Sequence, residues 1–168
     1  MSLENCSKNL RGRTAADVTQ VVYDSGVCFA ALYDFVTYLA DLQTGEFYYL
    51  YDRVSNDQEG KVLVRKLRPE HIDAIRENLG GNNMGEGLAE LQAYEKRTEG
   101  DHRFACDYRP EELHLLFDAG TKFSVKIDRS AERLPKHLEP VSNPFHDLPP
   151  EFFPSREKMY PGDAPLYK

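Results

Sequence analysis

The sequence lacks the marks of a disulfide scaffold, a zinc ribbon or a membrane protein. Its three cysteines, Cys6, Cys28 and Cys106, are odd in number and form no CxxC pair, which indicates reduced thiols. No window approaches the roughly 18 consecutive apolar residues of a membrane span, and the N-terminus has no basic stretch followed by an apolar one. We therefore expect a cytoplasmic protein, or one exported without a cleavable signal, and no membrane partner.

Positive charge is also scarce. Lys and Arg number 21 against 28 Asp and Glu, which gives a formal net charge of −7. A protein that binds nucleic acid needs clustered Lys and Arg to neutralise phosphates. The densest basic run, at 61–68, alternates with Val and Leu residues, as the exposed face of a strand does. We expect no nucleic-acid partner.

Spacings typical of metal and nucleotide sites are absent as well. No HxxxH or HExxH spacing places two imidazoles on one helix face. The glycine-rich stretch at 80–87 precedes a helix, but it lacks the Lys-Ser/Thr pair of a phosphate loop and has no strand before it. The sequence predicts no metal site and no cofactor.

What the chain does contain suits a soluble α+β domain. Of its 168 residues, 40 % are hydrophobic and 29 % are charged, a balance typical of a globular protein. Short runs rich in aromatic and β-branched residues predict about five antiparallel strands. These strands lie at 46–54, 61–67, 102–108, 113–118 and 122–128. We expect three to four helices beside them, packed on one face of the sheet.

Helix signals are clearest after Pro69, which occupies a favoured first position, and from Leu88 to near Arg97, where apolar residues recur every three positions. Thr14 resembles an N-cap and predicts a short helix to Tyr23, although a strand at 18–23 stays open. The almost wholly apolar run at 27–39 predicts a central buried helix.

Aromatic residues are concentrated at 24–54, which holds eight of the nineteen Phe and Tyr residues. In the strand at 46–54, Phe47, Tyr49 and Tyr51 share one face, and Tyr48 and Leu50 share the other. Tyrosine is a favoured interface anchor because it offers a large area with little rotamer entropy to lose. The first face is therefore a candidate binding surface, and the alternative is that a helix covers each face.

The C-terminal part, from Leu134, contains eight of the ten prolines. Such density disfavours regular helix or sheet and favours extended conformation. Aromatic anchors, among them Phe152 and Phe153, predict that it packs on a surface. We therefore divide the chain into a single domain at 1–133 and a proline-rich arm at 134–168, packed on the domain or on a partner.

Cys28 is the one candidate nucleophile. A thiol at the start of a helix has a lowered pKa because of the helix dipole. A cysteine hydrolase adds a His as base and a carboxylate that orients the His. His102 and Asp118 follow Cys28 in the order Cys, His, Asp. The alternative is that Cys28 is a small buried apolar residue, as most free cysteines are.

Three short patches carry a family resemblance. They are residues 25–32 around Cys28, His102, and residues 116–120 around Asp118. In these patches the chain resembles papain-like cysteine hydrolases, particularly the secreted-effector type. The resemblance implies cleavage of a peptide or amide bond, with Cys28 as nucleophile, His102 as base and Asp118 orienting the imidazole.

Two functions from different classes therefore follow from the sequence. The first is a small acidic protein-binding module, such as an inhibitor, an immunity-type protein or an adaptor, whose partner is another protein. Its candidate contacts are Phe47, Tyr49, Tyr51, Phe152 and Phe153. The second is the cysteine hydrolase. The oligomeric state is not fixed by the sequence.

Overall fold

A six-stranded antiparallel sheet organises the chain. The structure is a computed structural model and describes residues 10–25, 34–53, 60–100 and 110–159. The strands are β1 (Val18–Asp24), β2 (Asp34–Asp41), β3 (Glu46–Arg53), β4 (Lys61–Lys66), β5 (Glu111–Phe117) and β6 (Lys122–Ile127). Their order in the sheet is β4-β3-β2-β1-β5-β6, so β4 and β6 are its edges within the described residues.

Among the described residues, two helices longer than one turn lie between β4 and β5. They are α1 (Pro69–Asn78) and α2 (Met84–Thr98), and the short helices α3 (Glu139–Ser142) and α4 (Arg156–Met159) follow the sheet. Single 3₁₀ turns lie at Ala15–Asp17, Gly81–Asn83, Asp118–Gly120, Lys136–Leu138 and Pro150–Phe152.

The α+β class and most of the strongly patterned elements are confirmed. The predicted strands at 46–54, 61–67, 113–118 and 122–128 match β3, β4, β5 and β6 within a few residues, and β3 pairs with β4 as a hairpin. The predicted helices match α1 and α2, and α1 has a proline in its first turn. The strand predicted at 102–108 lies outside the described residues.

The central helix predicted at 27–39 is wrong over 34–39, where β2 pairs with β1 and β3. Residues 27–33 lie outside the described part of the chain. The physical reason is that β2 is a central strand with apolar residues on both faces. Tyr38 and Ala40 point to the core and Leu39 points to the opposite face, so the alternation that identifies a strand is lost.

The helix predicted from Thr14 to Tyr23 is also wrong beyond its first turn. Thr14 caps only the 3₁₀ turn Ala15–Asp17, and its backbone N–H donates to Asp17 Oδ2 at 2.7 Å. The strand β1 then begins at Val18, which confirms the alternative of a strand at 18–23. The β-branched residues of this stretch favour the strand.

One apolar core fills the space between the sheet and the elements packed on it. Alternate residues of the strands are buried, including Val21, Phe47 and Leu115, each 0 % exposed. Leu79 of the chain after α1 and Leu91 of α2 belong to the same core. The helices therefore cover the face of the sheet that carries these strand residues, and we call it the covered face.

The proline-rich segment at 134–159 belongs to this core. It contributes seven buried apolar side chains: Leu134, Leu138, Val141, Phe145, Leu148, Phe152 and Met159. Its described part is not extended, which corrects that expectation. Pro140 and Pro150 lie in the first turns of α3 and of the Pro150–Phe152 turn, where a missing N–H costs nothing.

Polar contacts also tie the segment to the sheet. Arg129 forms ion pairs with Glu111 of β5 and with Glu139 of α3, the latter at 2.8 Å, and donates to Ser142 Oγ at 3.1 Å. Burial opposes the charge of Arg129, but the hydrogen bonds to Glu139 and Glu111 outweigh it and raise its pKa.

Beneath this network the buried Tyr94 hydroxyl donates to the Asp128 carbonyl oxygen at 2.7 Å, and burial raises the pKa of Tyr94 to about 12.

Gly80 sets the turn between the two long helices. Its φ is +106°, and a Cβ added there would lie 3.0 Å from the Cα of Met84. We expect Gly80→Ala to destabilise the fold by about 1–3 kcal/mol, because L residues are strained at this φ and the clash is with backbone.

Gly85→Ala is the matched control, since a Cβ at Gly85 meets nothing within 4 Å. Gly85 is the second residue of α2, and alanine there should stabilise the fold by up to about 0.5–1 kcal/mol, because alanine is the better helix former. Urea denaturation of both variants checks the pair, and two shifts of the same sign would contradict this account.

Candidate interaction surface

The second face of the sheet differs from the covered face in exposure. Its described side chains are all partly or fully exposed, whereas the residues between them are mostly buried. We call this the open face. Among the described residues, no helix packs on it, since both long helices and the 134–159 segment contribute to the core on the covered face. Antiparallel sheets commonly leave one face to solvent, but such a face is normally polar.

Apolar side chains form a continuous row across the open face. Val22 of β1 is paired with Leu39 of β2, Leu39 with Tyr48 of β3, and Tyr48 with Val64 of β4. We call Val22, Leu39, Tyr48 and Val64 the apolar row. Side chains directly opposite each other on adjacent strands are about 4.5–5.5 Å apart, so the four form one surface. Leu50 and Val62, a pair on β3 and β4, widen it at one end.

Hydrogen-bonded polar groups border the row on one side. Gln20 Nε2 donates to Asp41 Oδ2 at 3.2 Å, and Lys66 Nζ contacts Glu46 Oε1 at 3.1 Å. The Tyr48 hydroxyl donates to Glu46 Oε2 at 2.6 Å, which lowers the pKa of Glu46 and raises the pKa of Tyr48. The surface therefore has an apolar centre and a polar border, the anatomy of a protein interface.

The edge strand β4 adjoins the row. Val62 and Val64 are 56 % and 50 % exposed and are the exposed large hydrophobic residues of the described chain. Lys61, Arg65 and Lys66 of the same strand are also exposed. A strand with its outer backbone groups unpaired is a template for another strand. β4 thus combines exposed apolar side chains, positive charge and an edge.

The binding residues predicted from the sequence lie on the covered face, in one aromatic cluster. The ring centroid of Phe47 is 5.3 Å from that of Phe152 and 6.0 Å from that of Phe153, both nearly perpendicular. Tyr49 stacks on Tyr51 at 6.3 Å, and its hydroxyl donates to the Pro154 carbonyl oxygen at 3.3 Å. The structure brings all five together within the chain, where they bury one another.

The structure describes one member of the predicted catalytic triad. Cys28 and His102 lie outside the described residues. Asp118 is exposed in the 3₁₀ turn after β5. Asp24 and Asp34, which flank the segment containing Cys28, lie at the other end of the sheet, because Asp24 is paired with Glu112 at the start of β5. The triad stays a prediction.

A different hydrogen-bonded triad lies on the open face, and it is absent from the sites predicted from the sequence. His114 Nδ1 is 2.7 Å from Ser124 Oγ, and its Nε2 is 3.0 Å from Glu112 Oε2. The signal was available, since His114 and Glu112 are two apart on one strand face. The three lie on a partly exposed sheet surface, and His114 is paired with Val22 at the end of the apolar row. The arrangement fixes the imidazole as a polar neighbour of the row.

The described cavities lie away from this surface. A shallow cavity of about 410 Å³ is lined by Arg129–Leu134, a second of about 430 Å³ by Glu95, Pro110 and Asp128, and a third of about 350 Å³ by Leu10, Asn82 and Glu86. Among the described residues, no group of three or more His, Cys, Asp or Glu side chains could hold a metal ion. The described helices are also too short or too polar to cross a bilayer.

The chain was compared with known proteins. No family model matches it. No curated protein matches it significantly either. Its function is therefore inferred from the geometry of the sheet.

Proposed function

We propose that the chain is a protein-binding module that receives its partner on the open face. The observation that carries the proposal is the apolar row, which runs across four adjacent strands on the face that no described helix covers. A binding module was one of the two functions expected from the sequence. The proposed surface is new, because the tyrosine face predicted for it is buried within the chain.

Exposure and composition support a protein rather than a small molecule as the partner. The row runs across four strands and lines none of the described cavities, whereas small ligands are usually held in concave pockets. Tyr48 at its centre offers a ring and a hydroxyl, a combination enriched at protein interfaces. Contiguous exposed apolar surface is uncommon on monomeric proteins and marks interaction sites.

Leu39 is the residue to change, because it lies in the middle of the row and is only partly exposed. We expect Leu39→Lys to weaken partner binding about 10–100-fold, which corresponds to about 1.4–2.7 kcal/mol. The cause is the desolvation of an unpaired ammonium group at the centre of an apolar contact. Ala89→Lys is the matched control, since it places the same charge on the exposed side of α2.

The experiment has two stages. Immobilised wild-type chain captures candidate partners from an extract of its source cells, and a candidate is then expressed and purified. Isothermal titration of this purified partner against wild type, Leu39→Lys and Ala89→Lys measures the three dissociation constants. Thermal unfolding confirms that the variants are folded, and Leu39→Thr replaces the lysine variant if it is not. Equal binding by wild type and the Leu39 variant, or loss of binding by Ala89→Lys alone, would contradict the proposal.

A further inference from the structure

The edge strand β4 gives the proposed partner a specific chemistry. We infer that β4 accepts an extended segment of the partner as a seventh strand, and that this segment alternates acidic and apolar residues. The inference rests on the proposed function in so far as the partner is a protein. It concerns the backbone edge and the charge of β4, however, and of the apolar row it uses Val64 and not Val22, Leu39 or Tyr48.

Backbone direction identifies the groups that would pair. The N–H of Leu67 donates to the carbonyl oxygen of Gly45 at 2.8 Å, so Leu67 points its backbone toward the β3 side. Successive residues of a strand point their backbone groups to opposite sides. The N–H and C=O groups of Val62, Val64 and Lys66 therefore point away from β3, toward a side of β4 that no described strand occupies.

Side-chain alternation on β4 sets the pattern of the incoming segment. Val62 and Val64 lie on the open face, in line with Leu50 and Tyr48 of β3. Lys61 and Arg65 lie on the opposite face, in line with Tyr51 and Phe47. Leu63 separates Lys61 from Arg65 on that face, and Lys61 Nζ donates to the Met159 carbonyl oxygen at 2.6 Å. An added strand would therefore place apolar side chains beside the two valines and carboxylates on its other face, within reach of Arg65.

Charge favours an acidic partner segment. Glu46 neutralises Lys66 at 3.1 Å and Glu70 contacts Arg68 at 3.3 Å, but no ion pair between described residues involves Arg65. The strand is thus a positive edge on a chain of net charge −7. Charge complementarity of this kind selects partners and fixes their register.

A second copy of the chain fits this edge poorly. An antiparallel pair of two β4 strands centred on Leu63 would place Lys61 of one copy opposite Arg65 of the other, and any pairing of the two strands would bring the cations of both copies onto adjacent strands. Like charges opposite each other on adjacent strands are destabilising. The occupant we commit to is therefore an acidic segment of another protein.

The probe is an acetylated eight-residue peptide of alternating glutamate and valine, and its control is the same peptide with lysine in place of glutamate. Fluorescence anisotropy of labelled peptides measures binding to the full chain. Amide hydrogen exchange read by NMR locates the contact. We expect the acidic peptide to bind at least tenfold more tightly than the lysine peptide and to slow exchange at Val62, Val64 and Lys66 at least tenfold.

Three variants test the mechanism. Val64→Pro removes one outward N–H, which an edge strand tolerates, and should weaken binding of the acidic peptide at least tenfold. Val64→Thr keeps that N–H and should retain binding within about threefold. If the proline variant does not fold, Arg65→Glu takes its place and should reverse the preference between the two peptides.

The outcomes separate this inference from the proposed function. No binding of the acidic peptide, equal binding of both peptides, or protection away from β4 would overturn the inference. Ala89→Lys should leave peptide binding unchanged, because Ala89 lies on the exposed side of α2 and outside the sheet. If Leu39→Lys weakens binding of the purified partner but the acidic peptide does not bind, the proposed binding on the open face is supported and the added strand is wrong. If the acidic peptide binds as expected but the partner binds wild type and Leu39→Lys equally, the added strand is supported and the open-face proposal is wrong.

Discussion

Deleting residues 134–168 should leave a chain that does not fold. The seven apolar side chains that this segment buries contribute about 1.5–3 kcal/mol each when removed from water. The deletion would also expose Phe47 and Tyr38, whose rings contact Phe145 and Phe153. Ordering the segment costs conformational entropy of comparable size. The loss of folding therefore follows from the exposed aromatic core of the sheet, whose cost is large beside a typical net stability of about 5–15 kcal/mol.

Near-UV circular dichroism and urea titration of residues 1–133 measure this outcome. We expect no cooperative transition and no fixed aromatic signal. Adding residues 134–168 as a separate peptide should restore part of the signal if the missing contacts are the cause. A cooperative transition for 1–133 alone, with a midpoint near that of the whole chain, would contradict this expectation and show that residues 1–133 fold as a domain without the segment.

Phe47→Ala should destabilise the fold severely, with a cost of about 3–5 kcal/mol. Phe47 is 0 % exposed, and its ring meets Phe145 at 5.4 Å and Phe152 at 5.3 Å, both edge to face. Aromatic pairs of this geometry contribute beyond the area that they bury. The cavity left by the ring lies between the sheet and the 134–159 segment, so both lose contacts.

Tyr48→Ala is the control for this substitution, because Tyr48 is the next residue of β3 and points to the open face. Urea denaturation should show a loss for Tyr48→Ala of about 1 kcal/mol, typical of a cross-strand contact on a partly exposed surface. Equal losses for the two variants would contradict the assignment of covered and open faces.

The sequence predicted best where local pattern and tertiary position agree. Pro69 begins a helix because its fixed φ and missing N–H suit a first turn, and α1 starts there. The strand β6 alternates because only one of its faces is buried. The helix prediction at 34–39 is wrong for the opposite reason. Leu39 is apolar although it points away from the core, so the apolar pattern of β2 resembles that of a buried helix.

The same residue explains why the candidate surface was missed. An apolar side chain in a strand is read as core unless the register of its neighbours is known. The row becomes visible only when Val22, Leu39, Tyr48 and Val64 are aligned by the pairing of four strands. Conversely, Phe152 and Phe153 pack on Phe47, and nothing local in the sequence shows that Phe47 covers them.

The most direct test of the central claim is an NMR titration of the labelled chain with the purified partner. We expect the amide chemical shifts of Val22, Leu39 and Tyr48 on the open face to change, while the amide chemical shifts of α1 and of the exposed side of α2 stay unchanged. Shift changes confined to the two helices, with the apolar row unaffected, would contradict it.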